Sequence, residues 1–266
     1  MLLVFVGLAL TPAALAQQPT PQPPPFIQPS RPLVSTPAEV QKAGVLQVEY
    51  GYDAFFRSRD FSTQQATPLR LRFAASSRLL LDFDFQPVKS QTARSGARET
   101  GVGDVRVGFQ AVAIKGADKH PALAFAYFAK LPAASAEKGR GSGRVDHSVR
   151  ALLSRKYGDT EVDFSSAALF VGRQGASGWA AGGEFALGVT HEPQEHGLGV
   201  QGEVSVRTKP GYDQQGAFAL GALVYRVNRR FRLDGGMRFG LNPDAPRAGV
   251  FVGTTVGAAD LFKGRK

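Results

Sequence analysis

The sequence predicts an all-β fold: a single antiparallel transmembrane β-barrel of about twelve strands behind a signal peptide and a Pro-rich linker. Three observations predict it. Apolar and polar residues alternate in segments of roughly ten residues from Leu46 to the C-terminus. The N-terminus reads as a secretory signal. No later run is long and apolar enough for a transmembrane helix. The predicted division is 1–16 signal peptide, 17–43 periplasmic linker and 44–266 barrel, and the predicted location is the bacterial outer membrane.

The signal rests on the apolar stretch 1–10 followed by Ala14-Leu15-Ala16, whose small residues suit cleavage after Ala16. No Lys or Arg precedes the apolar core, a departure from the usual pattern. No Cys follows Ala16, which excludes a lipoprotein anchor. The next stretch, Gln17-Gln18-Pro19-Thr20-Pro21-Gln22-Pro23-Pro24-Pro25, cannot form helix or sheet and favours an extended, solvated chain. The linker is therefore expected to be disordered in the periplasm, with a plug in the barrel mouth as the alternative.

Twelve strand candidates follow: 45–57, 60–74, 78–91, 103–115, 121–132, 145–157, 161–173, 179–191, 197–208, 214–227, 230–241 and 248–262. Three show the alternation best. Leu79-Leu80-Leu81-Asp82-Phe83-Asp84-Phe85 sets two Asp on one face, and Val105-Arg106-Val107-Gly108-Phe109-Gln110-Ala111 does so with Arg and Gln. The segment 231–239 repeats the pattern with Arg232, Asp234 and Arg238. Successive side chains of a strand point to opposite faces, so one face is apolar and the other charged. Tight turns are expected at 75–78, 116–119, 157–160 and 227–230, and longer polar loops at 92–101 and 133–144. Bacterial barrels have short periplasmic turns and longer outer loops, so the two loops are expected to face outward. Phe262 resembles the terminal aromatic residue read by the barrel-insertion machinery, although four residues follow it.

With the apolar face against lipid, including Phe83, Phe109, Phe125, Leu187 and Phe239, the opposite face is predicted to line the lumen. It carries Glu49, Asp53, Arg70, Arg72, Asp82, Asp84, Arg106, Lys130, Asp146, Arg150, Asp163, Glu184, Glu203, Arg207, Arg232, Asp234 and Arg238. Nine are acidic and eight basic. A dry sandwich core would not hold them, because charges are almost never fully buried unless paired. In a sandwich this face would meet water instead. Balanced charge in a lumen implies either a narrow polar channel or a closed ion-pair network.

The absence of Cys excludes disulfides and thiol chemistry. The net charge of +10 would suggest nucleic acid in a cytosolic protein. Behind an export signal it suits the phosphates of lipid and lipopolysaccharide instead, and no nucleic acid is expected. His191-Glu192-Pro193-Gln194-Glu195-His196 has the wrong spacing for a zinc protease, and Pro193 breaks the helix that chemistry needs. Gly139-Arg140-Gly141-Ser142-Gly143-Arg144 lacks the following helix that would cradle phosphate. Adjacent His147 and Ser148 point to opposite faces of a strand, and Ser166 is out of register with His147, so no activated serine is expected. No catalytic residue, cofactor or metal is predicted.

Several motifs resemble one known family. Gly44-Val45-Leu46-Gln47-Val48-Glu49-Tyr50-Gly51-Tyr52 resembles its opening strand, with Arg31-Pro32 upstream. Thr67-Pro68-Leu69-Arg70-Leu71-Arg72-Phe73-Ala74 resembles its second strand, with Ala74 where Gly is usual. Gly101-Val102-Gly103-Asp104 followed by Gly108 is similar to its most distinctive motif, and Pro121-Ala122-Leu123-Ala124 and Leu131-Pro132 also fit. The family is the phenol-degradation meta-pathway outer-membrane proteins, often described as transporters. The resemblance implies an outer-membrane barrel and a channel for small, hydrophobic or aromatic compounds. It supplies no site residues. Gly101, Gly103 and Asp104 are read as a strand bend, where Gly permits positive φ. The expected function is passive passage of a small-molecule solute. The alternatives are a closed structural or adhesive barrel and, further off, a lipid hydrolase.

Overall fold

The computed structural model describes residues 25–262 except 119, 139, 142, 174–176, 194 and 209–214. Among these, fifteen strand segments build the wall. They are β1 (Val45–Phe56), β2 (Phe61–Ala66), β3 (Leu69–Ala74), β4 (Leu79–Phe85), β5 (Lys89–Ala93), β6 (Arg98–Gly101), β7 (Val105–Ile114) and β8 (Ala122–Leu131). The rest are β9 (Asp146–Tyr157), β10 (Thr160–Gly172), β11 (Trp179–His191), β12 (Gly197–Arg207), β13 (Gly216–Asn228), β14 (Phe231–Gly240) and β15 (Ala248–Asp260). Taking β2 with β3, β4 with β5 and β6 with β7 as single broken staves, the wall is a closed twelve-stave antiparallel barrel. β15 closes on β1 from Val45↔Asp260 to Phe56↔Ala248. Apart from β6, which pairs only with β5 at the far tip of the wall, closure pairs each stave on both sides, which is what backbone N–H and C=O groups require in lipid.

The two faces are inverted relative to a water-soluble protein. Phe83, Phe109, Phe125, Leu187 and Phe239 are 37–50% exposed. Arg72, Arg232, Gln47 and Glu49 are among the largest fully buried side chains. An apolar outer surface over a charged interior is stable only where lipid is the outer solvent. Parity assigns one aromatic residue inward against simple apolarity. Phe128 follows Ala122, Ala124 and Ala126 on the buried side of β8, while Phe125 points out.

The three broken staves are neighbours, and their breaks fall side by side at Thr67-Pro68, Gln86-Pro87-Val88 and Val102-Gly103-Asp104. Proline offers no ladder donor. The gap is bridged by Thr67 N–H to Val88 O at 2.9 Å and Gly103 N–H to Gln86 O at 2.9 Å. Gly103 is needed for close approach: a Cβ there would stand 2.6 Å from Gln86 Oε1. Positive φ is not the reason, since neither Gly101 nor Gly103 adopts it.

The expected loop at 92–101 is instead a strand hairpin. β5 and β6 continue the wall and turn at 94–97, where Ala93 N–H donates to Ala97 O at 2.8 Å. The 133–144 connection between β8 and β9 remains long. It leaves the barrel end opposite Val45 and Asp260, called the far end below.

The linker departs most from expectation. Residues 17–24 and the signal segment lie outside the described residues, but 25–43 sits inside the barrel. Ile27 and Ala38 are fully buried, as is Gln41. Lys42 N–H donates to Pro25 O at 2.9 Å, so the segment is a loop whose two ends meet at the near end. A solvated linker was expected from its prolines. The lumen overrides that preference because its polar side chains satisfy the loop's backbone donors, which no secondary structure does.

Candidate functional site

The site is the lumen and the loop inside it. Five adjacent strand pairings place Glu49, Arg70, Asp84, Arg106, Lys130 and Asp146 directly opposite one another in sequence. This row crosses β1, β3, β4, β7, β8 and β9. Side chains opposite one another in a ladder are near neighbours, so the row forms ion pairs along the wall. Arg70 Nη2 lies 2.6 Å from Asp82 and its Nε 3.3 Å from Asp84. Arg106 Nε donates to Asp84 at 2.7 Å. Lys130 Nζ lies 2.8 Å from Asp104 and 2.6 Å from Asp146.

All seventeen residues of the predicted charged face are buried or half-buried, and they fall into three groups. One group holds the loop from the near end. Glu49 accepts from Ser30 N–H at 3.0 Å and Arg31 N–H at 3.1 Å, with Arg72 Nη1 3.5 Å away. Glu203 accepts from Val34 and Ser35 N–H, and Asp163 accepts from Ser154 Oγ, which itself receives Ala38 N–H at 2.7 Å. Arg232 donates to Gln201 at 2.8 Å, and Asp234 lies 3.5 Å from Arg31. The second group, Lys130 and Asp146 with Asp104, braces the wall. Asp104 Oδ1 also accepts Ala134 N–H at 3.0 Å and so ties the strand break to the 133–144 connection.

The third group surrounds a cavity of about 240 Å³ above the loop tip. Asp53 faces Arg31 at 3.4 Å. Glu184 takes Arg150 at 2.8 Å and Arg207 Nε at 2.7 Å. Arg70, Asp82, Asp84 and Arg106 belong to the same group through the pairs given above. Arg238 Nη2 donates to Pro32 O at 3.1 Å. A second void of about 150 Å³ shares Val34, Asp53, Glu184, Arg207 and Arg238 and adds Phe55, Gln64, Gln86 and Phe218.

Several participants were missed from the sequence. Arg31 was read only as an upstream motif residue, yet it reaches mid-lumen. The walls make room for it with Gly51 and Gly253, where a Cβ would stand 2.4 Å from its guanidinium. Gln110 donates to Pro37 O at 3.0 Å and Ala38 O at 2.9 Å. The alternation places it on the polar face of its strand, but does not show that it holds the loop. Glu192, in the turn read as a false zinc motif, lies 3.0 Å from Arg226 and 3.5 Å from Arg232.

The hydrolase geometry does not form at the residues considered. His147 Nδ1 pairs with Tyr127 Oη at 2.7 Å on the outer face, and Ser148 is buried on the inner. Ser166 stands opposite Ala151, four residues from His147 along β9. Among the described residues, no group of His, Asp and Glu could hold a metal ion.

The family described as "Putative MetA-pathway of phenol degradation" matches residues 30–257. The chain belongs to this family. The match includes the tip of the inserted loop as well as the wall. Among solved structures, this family member is similar to the COG4313 outer membrane channel from Pseudomonas putida F1, at 12% identity and TM-score 0.59. That likeness covers 86% of this chain and 99% of the other. It is also similar to the NanC porin at 12% identity and TM-score 0.50, over 80% of this chain and 98% of that one. Both establish the outer-membrane barrel fold. No curated protein matches the chain.

Proposed function

We propose that this family member is a passive outer-membrane channel for small molecules, with the inserted loop as its constriction. The observation that carries the reading is open space lined by ion pairs inside a lipid-exposed barrel. The two voids share five residues and run from the loop tip toward the far end. The far end faces the outside of the cell under the usual arrangement of bacterial barrels. Below and beside the voids the loop hydrogen-bonds to eight strands, from Glu49 of β1 and Arg72 of β3 round to Arg238 of β14 and Val252 of β15. Solute therefore crosses by displacing this loop or slipping past it.

Small aromatic solutes are the proposed cargo. The family description names phenol degradation, and the rings of Phe55, Phe128 and Phe251 stand beside the arginines around the voids. The proposed partners are outer-membrane lipid, lipopolysaccharide phosphates and the barrel-insertion machinery. The reading is non-enzymatic. A closed barrel is the second reading, favoured by the same loop and its ion pairs.

Planar-bilayer recording decides between them. The parent should conduct, and a variant with 27–41 replaced by a Gly/Ser linker should conduct more. If neither conducts nor takes solute into liposomes, the closed barrel replaces the channel.

A further inference from the structure

Of the six arginines that line the larger cavity, Arg31, Arg70, Arg106, Arg150 and Arg207 each have a carboxylate within ion-pair distance, supplied by Asp53, Asp82, Asp84, Asp234 and Glu184. The carboxylates are shared. Glu184 serves both Arg150 and Arg207, and Asp84 serves both Arg70 and Arg106. Among the described residues no carboxylate lies within ion-pair distance of Arg238. Its Nη2 donates to the Pro32 carbonyl, and its Nε is buried with no hydrogen-bond partner. Guanidinium does not lose its proton in proteins, so Arg238 stays charged. Asp53 and Glu203 attract this half-buried guanidinium from farther off, but neither pairs with it directly, which leaves its two-pronged donor face for an incoming anion.

The same cavity carries an aromatic surface. The Phe128 ring lies under Arg106 at 4.8 Å, Arg150 at 5.8 Å and Arg70 at 6.0 Å. Arg238 lies 5.4 Å from the Phe55 ring and 5.8 Å from that of Phe251. An apolar cavity of about 150 Å³ holds benzene, so the 240 Å³ available admits one ring with a charged substituent.

We propose that this cavity is a binding site for a small aromatic carboxylate, with Arg238 as the guanidinium that takes the carboxylate and Phe128 as a face for the ring. Guanidinium binds carboxylate in a planar two-pronged pair, which a lysine would not reproduce. The identification rests on the channel reading, since it names the solute class that would occupy the path.

Calorimetry on the detergent-folded full chain tests it, with benzoate, benzyl alcohol, benzylamine and inorganic phosphate as probes. Benzoate should bind saturably and at least about tenfold more tightly than the other three, a gap of about 1.4 kcal/mol. Arg238→Gln should abolish that preference, and Arg238→Lys should restore only part of it. Heat-dependent gel migration checks that each variant is folded. Equal binding of benzoate and benzyl alcohol would overturn the site. Phosphate binding as tightly as benzoate would overturn the aromatic part. Unchanged benzoate affinity in folded Arg238→Gln would remove Arg238 from it. The comparison of probes on the parent stands even if the variants do not fold. Binding is read without conduction, so a protein that binds benzoate but passes no current sinks only the transport reading.

Discussion

Glu203 on β12 accepts the backbone N–H groups of Val34 at 2.8 Å and Ser35 at 2.7 Å, one carboxylate holding two successive peptide units of a loop 168–169 residues away in sequence. Hydrogen bonds to a charged group contribute about 1.5–3 kcal/mol each. Glu203→Ala should therefore release the loop tip while leaving the wall closed. Hydrogen exchange at 33–36 should accelerate, and single-channel conductance should rise. Unchanged exchange would show that the loop is held by its other contacts alone.

Gly51 and Gly253 face the Arg31 guanidinium from paired positions on β1 and β15. Ala at either site meets only the end of a flexible side chain, which can swing aside. Leu should displace Arg31 from Asp53 and Asp234. Gly51→Leu should keep heat-dependent gel migration and lose protection at 30–32. If protection persists, Arg31 does not anchor the tip.

The outer face gives a stability prediction. Phe125 is half exposed to the lipid side. Phe125→Arg near the membrane midplane should destabilise the barrel by about 2–4 kcal/mol, measured by urea unfolding from lipid vesicles. Phe128, three residues on, faces inward, so Phe128→Leu should change stability less and anion binding more. Equal effects at the two positions would contradict the face assignment on β8.

Glu184 sits between Arg150 and Arg207. Glu184→Gln removes the anion and leaves two guanidiniums on one amide. Losing one partner of a buried ion pair costs about 3–5 kcal/mol. If the folded variant conducts, its reversal potential should shift toward anion preference, whereas Arg238→Gln should shift it toward cations. Shifts of the same sign would separate selectivity from this cavity.

The 133–144 connection should be reached by antibody on intact cells when it carries a tag, because it leaves the far end. The 94–97 turn, at the tip of the β5–β6 hairpin, should behave alike. Labelling only after the outer membrane is permeabilised would invert the orientation.

The wall was legible because its physics is local. Each strand writes its two faces as a period of two, and Leu79-Leu80-Leu81-Asp82-Phe83-Asp84 needs no distant partner to be read. The breaks at Pro68 and Pro87 passed unnoticed because alternation resumes across them, so each half-stave was read as part of one long strand. Phe128 shows where the rule of apolar-outward fails: only parity with Lys130 and Ala126 places it inward. The loop 25–43 was illegible for the opposite reason. Its stability comes from Glu49, Glu203, Ser165 and Gln110, contacts that no periodicity within the loop announces. Proline content said correctly that it forms no strand, but it could not say that a solvent other than water would receive it.

Because Lys42 and Pro25 meet at one mouth of the barrel, this loop doubles back without passing through the wall. Sealing β15 against β1 therefore ties no knot around it and traps nothing that must later be threaded. Nothing in this path requires the loop to be in place before the wall closes, so a hollow cylinder can form first and be furnished afterwards.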